Sequence, residues 1–174
     1  MTTHRDALEE TSFATRIVAV SPEEFTAVYR QLLPQISKYL ARRVSPSDVE
    51  ELASRIFEIA WHKRTQAPSG FELPWLYRIA GYVVSNHRRS EAAKANFLAV
   101  FRPSDAAPSA EEIAINDLSL SQAWAKLSVA ERQVIALSSF EGLDNLSAAR
   151  VLDISTNAFA LRLSKAKAKL RKLL

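Results

Sequence analysis

The chain has 174 residues, of which 48% are hydrophobic and only three are glycine, a composition that supports buried cores and favours helix over sheet. Lysines and arginines outnumber the acids by 23 to 19, and the resulting net charge of +4 is compatible with a nucleic-acid partner. The absence of cysteine excludes disulfides and thiolate metal sites, and no stretch approaches the roughly 18 apolar residues that span a membrane.

The first twenty residues show no clear apolar period and no signal-peptide pattern, so we expect an N-terminal extension (1–20) on a cytoplasmic protein. The first helix start signal follows at Ser21, which suits the N-cap. Pro22 suits the first helical position, and Glu24 can complete a capping box. The apolar residues that follow recur at intervals of three and four, which predicts one buried helix face.

Two further helices are predicted before the middle of the chain. Ser45-Pro46-Ser47-Asp48 is a second start signal, and the apolar spacing after it continues to His62. A loop over residues 65–70 precedes a third helix, which begins near Pro74 and has a polar, basic far end.

Residues 98–116 are rich in proline, serine, alanine and acids, which predicts a flexible linker. Helical signals resume at Asp117, and Ser128 opens another capping box. Gly142 suits a left-handed helix end, and Asp144 suits the next N-cap. The sequence therefore predicts an all-α fold with two small helical domains, over residues 21–97 and 117–174.

The last thirty residues show the pattern of a helix-turn-helix. A short apolar helix signal ends at Asp153-Ile154, and a second signal opens at Ser155 and continues, rich in lysine and arginine, to the C-terminus. Two helices joined by a tight turn, the second of them basic, are typical of DNA-reading domains. Asp153 tolerates a left-handed turn conformation better than most residues.

Two longer strings, taken together, resemble a known family. FTAVYRQLLPQISKYLARRVSPSDVEELASRIFEIAWHKR, followed by PWLYRIAGYVVSNHRR, resembles domain 2 of the extracytoplasmic-function (group IV) sigma factors of the sigma-70 family. The run LSVAERQVIALSSFEGLDNLSAARVLDISTNAFALRLSKAKAKLRKLL resembles their domain 4. The resemblance covers about residues 22–95 and 117–174, in the family's order.

The resemblance implies a promoter-recognition subunit of bacterial RNA polymerase. Its implied partners are the core polymerase, through the β′ clamp coiled coil and the β flap, promoter DNA, and an anti-sigma factor; no membrane or small-molecule substrate is implied. The implied polymerase-binding positions on the second helix are Glu51, Arg55, Glu58 and His62.

The resemblance also implies two DNA-reading surfaces. In the family, the loop and third helix of domain 2 open the −10 element and hold an unstacked base, which needs basic and aromatic groups. The matching candidates are Phe71, Arg78, Tyr82, Asn86, His87, Arg88 and Arg89. The second helix of the helix-turn-helix is implied to enter the major groove at the −35 element, with the candidates Ser155, Thr156, Asn157, Ala160, Arg162, Ser164 and Lys165.

Several positions depart from the family pattern. Gly81-Tyr82 follows WLYRIA where a basic or small residue and then asparagine are usual, and Leu146-Ser147 replaces paired glutamates. Asp153 stands at the usual turn glycine, and Ala160 at a common basic position. These changes spare the fold and alter the contact surface, so the promoter sequence recognised is expected to differ.

Two other functions remain open from the sequence. One is a sigma-like mimic that sequesters an anti-sigma factor, and the other is a plain helix-turn-helix transcriptional regulator. An enzyme is not expected, because the three histidines are scattered and no acids or histidines show catalytic or metal-ligand spacing. We therefore expect no catalytic residues, no metal and no cofactor.

Overall fold

The computed structural model describes residues 21–98 and 117–174. The predicted N-terminal extension and nearly all of the predicted linker lie outside these residues. Within the described ranges all regular structure is helical and no strand occurs, which confirms the predicted all-α fold class.

Three helices form the first unit: α1 (Pro22–Ala41), α2 (Val49–His62) and α3 (Glu72–Leu98). The predicted capping box begins α1, because the Glu24 amide donates to the Ser21 hydroxyl at 3.2 Å and the Ser21 amide donates to the Glu24 carboxylate at 2.8 Å. A 3-10 turn (Pro46–Asp48) leads into α2. The third helix begins two residues before the predicted Pro74, which lies within its first turn.

The second unit contains α4 (Leu118–Ala125), α5 (Val129–Ile135), α6 (Asn145–Leu152) and α7 (Thr156–Leu173). A π-helical turn (Ala136–Phe140) continues α5, and Gly142 follows it with a φ of +67°. The four helices have polar N-caps at Asp117, Ser128, Asp144 and Ser155, and each side chain accepts a backbone amide. Side-chain caps of this kind satisfy amides that the helix itself leaves unpaired.

Each unit has its own apolar core. The first is centred on Ile36, Leu40, Ile56 and Val84, and the second on Phe159 with Val134 and Ala148. The two units are also packed together, with α3 against α6. Leu143 and Val151 contact both cores and so join them.

Candidate nucleic-acid interface

The turn between α6 and α7 has the expected helix-turn-helix geometry. Asp153 ends α6 in the left-handed region with a φ of +57°, and the amide of Ile154 donates to the Ala149 carbonyl at 3.1 Å. Ser155 then caps α7 by accepting the amide of Ala158 at 3.2 Å. The sequence predictions for Asp153 and Ser155 are therefore confirmed at the level of backbone geometry.

One face of α7 is buried and the opposite face is open. Phe159, Leu163 and Ala166 pack into the core of the second unit. The predicted −35 residues Ser155, Thr156, Asn157, Arg162, Ser164 and Lys165 are exposed, whereas Ala160 is half-buried. Exposed polar and basic side chains on a helix that begins after a tight turn are suited to a DNA groove.

An apolar side chain on the same open face was missed by the sequence reasoning. Leu161 is 57% exposed and follows Asn157 by one helical turn. The spacing of Phe159, Leu163 and Ala166 places Leu161 off the buried face, and this was the signal that could have found it. An exposed apolar group on such a helix can contact a thymine methyl group.

The four predicted polymerase-binding residues form one exposed stripe along α2. Glu51, Arg55, Glu58 and His62 all point to solvent, and their spacing of four, three and four residues keeps them on one side of the helix. The opposite side of α2 is buried through Leu52, Ile56 and Phe57 among others.

The predicted −10 residues divide into groups, which the linear motif did not indicate. Arg78, Tyr82, Asn86 and Arg89 line a cleft of about 280 Å³ between the first and second units. Asn86 accepts a hydrogen bond from Arg89 at 2.9 Å, and Tyr82 is 66% exposed. These four side chains share one surface of α3.

The remaining three −10 candidates have other partners. His87 lies 3.2 Å from the Asp48 carboxylate, whose pKa is lowered mainly by a hydrogen bond from the Ser45 hydroxyl. Arg88 donates to the Arg43 carbonyl oxygen. Phe71 packs beneath Arg150 of α6, with the guanidinium carbon 3.8 Å from the ring centre.

Polar contacts also cross between the two units. Arg42 and Arg43 donate to the two carboxylate oxygens of Glu141 at 3.0 and 2.8 Å, and Arg78 pairs with Asp153 at 3.2 Å. The first pairing is buried, whereas the second is exposed and is expected to contribute little to stability. No spacing rule connects residues so far apart in the chain, so sequence reasoning did not find these pairs.

Tyr77 lies beside this buried pairing. Burial raises the pKa of its phenol to about 12, and the nearby Glu141 carboxylate acts in the same direction. The phenol therefore stays neutral at physiological pH.

Neither a metal centre nor a membrane segment is found in the described ranges. Residues 21–98 and 117–174 contain no group of three or more histidine and acid side chains that could hold a metal ion. None of their helices combines the length and apolar character required to cross a bilayer.

These features define a class of protein: an all-α chain with a helix-turn-helix, whose second helix exposes polar and basic side chains. A family model described as "Sigma-70, region 4" matches residues 117–170. The RNA polymerase sigma factor NccH of Alcaligenes xylosoxydans xylosoxydans is 31% identical over an alignment of 140 residues, and the match covers 75% of each chain. The chain therefore belongs to the sigma-70 family of RNA polymerase sigma factors, which is not a class of enzymes.

Solved structures share the fold at lower sequence identity. CnrH, in complex with the cytosolic domain of CnrY, has a TM-score of 0.55 and 23% identity, with 88% of both chains covered. RpoE of Bartonella quintana, in complex with the anti-sigma factor NepR, has a TM-score of 0.50 and 22% identity, covering 87% of this chain and 94% of that one. Both likenesses concern the fold alone.

Proposed function

We propose that the chain is an extracytoplasmic-function sigma factor, which binds core RNA polymerase in the cytoplasm, recognises the −10 and −35 promoter elements and promotes transcription initiation. The observation that supports this most directly is that three helices each carry a set of solvent-accessible polar side chains. The α2 stripe, the α3 surface and the open face of α7 can each contact a different partner. A plain helix-turn-helix regulator needs only the last of these.

The α2 stripe is proposed to bind the β′ clamp coiled coil. Its four side chains carry both signs of charge, which suits a polar docking contact whose specificity depends on charge pairing. Phe71, just before α3, and the α3 residues Arg78, Tyr82, Asn86 and Arg89 are proposed to hold the opened −10 strand, through stacking and phosphate contacts. The second unit is proposed to reach the β flap and the −35 element.

An anti-sigma factor is proposed as the regulatory partner. RpoE of Bartonella quintana is described in complex with an anti-sigma factor, and CnrH in complex with the cytosolic domain of CnrY. The fold shared with both proteins supports the same kind of partner for this chain.

Reconstitution with core polymerase tests the function. The purified chain is combined with core enzyme, and transcription is measured from the promoter upstream of its own gene. Core binding without promoter opening would favour the mimic, and DNA binding without core binding would favour a plain regulator. Either result would contradict the proposed function.

Single substitutions test the −35 face. Arg162→Ala and Lys165→Ala are expected to weaken −35 binding several-fold while leaving affinity for core polymerase unchanged, because each removes a cation from the open face. Arg30→Ala is the matched control, since Arg30 is exposed on α1. Unchanged −35 binding in both variants would refute the assigned face.

A matched pair of charge reversals tests the docking stripe. Glu51→Arg is expected to weaken core binding, whereas Glu50→Arg is not, because Glu50 is exposed in the same helical turn but lies off the stripe. Since both changes place a cation near the N-terminus of α2, their effects on helix stability are comparable. Equal core affinity in the two variants would refute the stripe.

A further inference from the structure

The buried pairing between the two units has an unusual composition. The Glu141 carboxylate receives Arg42 on one oxygen at 3.0 Å and Arg43 on the other at 2.8 Å. The side chains of Glu141 and Arg43 are each 1% exposed, and that of Arg42 is 35% exposed. Two neighbouring arginines of the first unit thus surround one anion from the second.

The arginine pair is held by the first unit itself. Arg43 also donates to the Tyr39 carbonyl at 3.0 Å, and its guanidinium carbon lies 3.6 Å from the centre of the Tyr39 ring. Arg88 of α3 donates to the Arg43 carbonyl and so anchors the backbone. These contacts do not involve Glu141, so they do not depend on the position of the second unit.

The geometry of the pair suits a phosphate as well as a carboxylate. Guanidinium groups present several donors in a plane, and they bind anions through two oxygens at once. A DNA phosphate diester also offers two charged oxygens on one centre. Glu141 therefore occupies a site with the chemistry of a phosphate-binding site.

The position of the pair favours DNA as the source of that phosphate. Arg43 lines the same cleft as Arg78, Tyr82, Asn86 and Arg89, which are proposed to bind the −10 strand. The opposite wall of the cleft belongs to the second unit. While the units are packed together, the second unit forms that wall and Glu141 lies between the two arginines, whereas Arg78 and Tyr82 on the α3 wall stay more than half exposed.

We propose that Arg42 and Arg43 form a binding site for a DNA backbone phosphate, and that Glu141 occupies this site while the two units are packed together. The site rests on the proposed promoter-binding function and adds two residues to it. Separation of the units removes Glu141 and allows DNA to take its place. Glu141 and DNA therefore compete for the same arginines.

The competition predicts opposite effects on DNA affinity for substitutions of Glu141 and of Arg42. Removing the Glu141 charge favours separated units and is expected to raise DNA affinity several-fold. Removing Arg42 from a variant that already lacks the Glu141 charge is expected to reverse this gain in affinity. It is also expected to make the slope of the logarithm of the DNA-binding constant against the logarithm of the salt concentration shallower by about 0.7–0.9, the value for one lost phosphate contact. A change in net charge alone does not produce this pair of effects.

The experiment measures binding to a fluorescent duplex with an unpaired −10 stretch, by anisotropy over a salt series, using the full chain. Glu141→Gln is compared with Glu50→Gln, which removes one exposed acid from α2. Arg42→Gln is then compared with Arg30→Gln, both in the Glu141→Gln background. Circular dichroism checks each fold, and Glu141→Asp, with its shorter side chain, is a second variant expected to raise affinity.

Three results would overturn the site. In the first, the Glu141 variants bind DNA no more tightly than Glu50→Gln does. In the second, Arg42→Gln lowers the salt dependence of binding no more than Arg30→Gln does. In the third, no variant binds DNA. Transcription by the wild-type holoenzyme is scored separately. Transcription with an unchanged salt dependence refutes this site alone, whereas the expected salt dependence without transcription supports the site and refutes the sigma function.

Discussion

Replacing Asp153 by glycine, asparagine and alanine separates backbone strain from side-chain charge at the turn of the helix-turn-helix. Asp153 is the only residue other than glycine with a positive φ in the described ranges, 21–98 and 117–174. Its carboxylate also pairs with Arg78. Glycine relieves the backbone and alanine does not, and both remove the charge.

The expected change in the free energy of unfolding follows from the backbone strain and the charge of Asp153. A left-handed conformation costs an L-residue about 1–2 kcal/mol, and asparagine and aspartate are affected least. Glycine avoids this strain but loses about 0.5–1 kcal/mol through its greater freedom in the unfolded chain. The Arg78–Asp153 pair is 54% and 77% exposed at its two side chains, so it contributes only a few tenths of a kcal/mol.

We therefore expect Asp153→Ala to lower the free energy of unfolding by about 1 kcal/mol, with Asp153→Gly and Asp153→Asn within about 0.5 kcal/mol of the parent chain. Thermal unfolding followed by far-ultraviolet circular dichroism measures the change. For a chain of this size, 1 kcal/mol corresponds to about 2–4 °C in Tm. The comparison between glycine and alanine is independent of Arg78, since neither side chain can pair with it.

Equal stability of the glycine and alanine variants would refute the reasoning, because the strain in the left-handed conformation would then be no larger than the entropic cost of glycine, about 0.5–1 kcal/mol. A loss in all three variants, asparagine included, would instead assign the effect to the charge of Asp153. Urea unfolding of the same variants checks that the order does not depend on temperature.

Three further outcomes are expected. The pKa of Asp144 is lowered, mainly because the Ser147 amide donates a hydrogen bond to its carboxylate. The ionised carboxylate therefore stabilises the fold at neutral pH, and this contribution is lost as the pH falls through the carboxylate range. Asp144→Asn is expected to flatten this dependence of Tm on acid pH. Ile36→Ala is expected to lower the free energy of unfolding by about 2–5 kcal/mol in urea titrations, because Ile36 is 0% exposed, and a loss below 1 kcal/mol would contradict this packing. The pKa of Tyr77 is raised to about 12, so the stabilisation from its neutral phenol is present below pH 10 and is lost as the pH rises from 10 towards 12. Absorbance at 295 nm is expected to show a late-titrating component that Tyr77→Phe removes.

The helix starts were the most predictable part of the fold. Ser21, Ser128, Asp144 and Ser155 all cap the helices expected of them. Capping depends on a side chain and an amide three residues later, so both partners are visible in a short stretch of sequence. The π-helical continuation of α5 was not predicted, since apolar spacing does not distinguish it from an ordinary helix turn.

The candidate site was only partly predictable. Spacing along α2 was sufficient to place Glu51, Arg55, Glu58 and His62 on one exposed stripe, because a single helix determines their relation. Spacing along α3 was not sufficient, since His87 has a partner in Asp48 and so belongs to a different surface from Arg78. Whether these residues act as proposed stays a prediction.

The sequence by itself determined the all-α fold class, the caps and the left-handed turn at Asp153, because each depends on residues within a few positions of one another. Only the tertiary structure decided that Glu141 meets Arg43, 98 positions away, and that the second unit forms the opposite wall of the cleft beside the proposed −10 residues. The physical reason is that a buried ion pair forms where two folded surfaces match in shape and charge. Such a match depends on the packing of both units, and no local pattern records it.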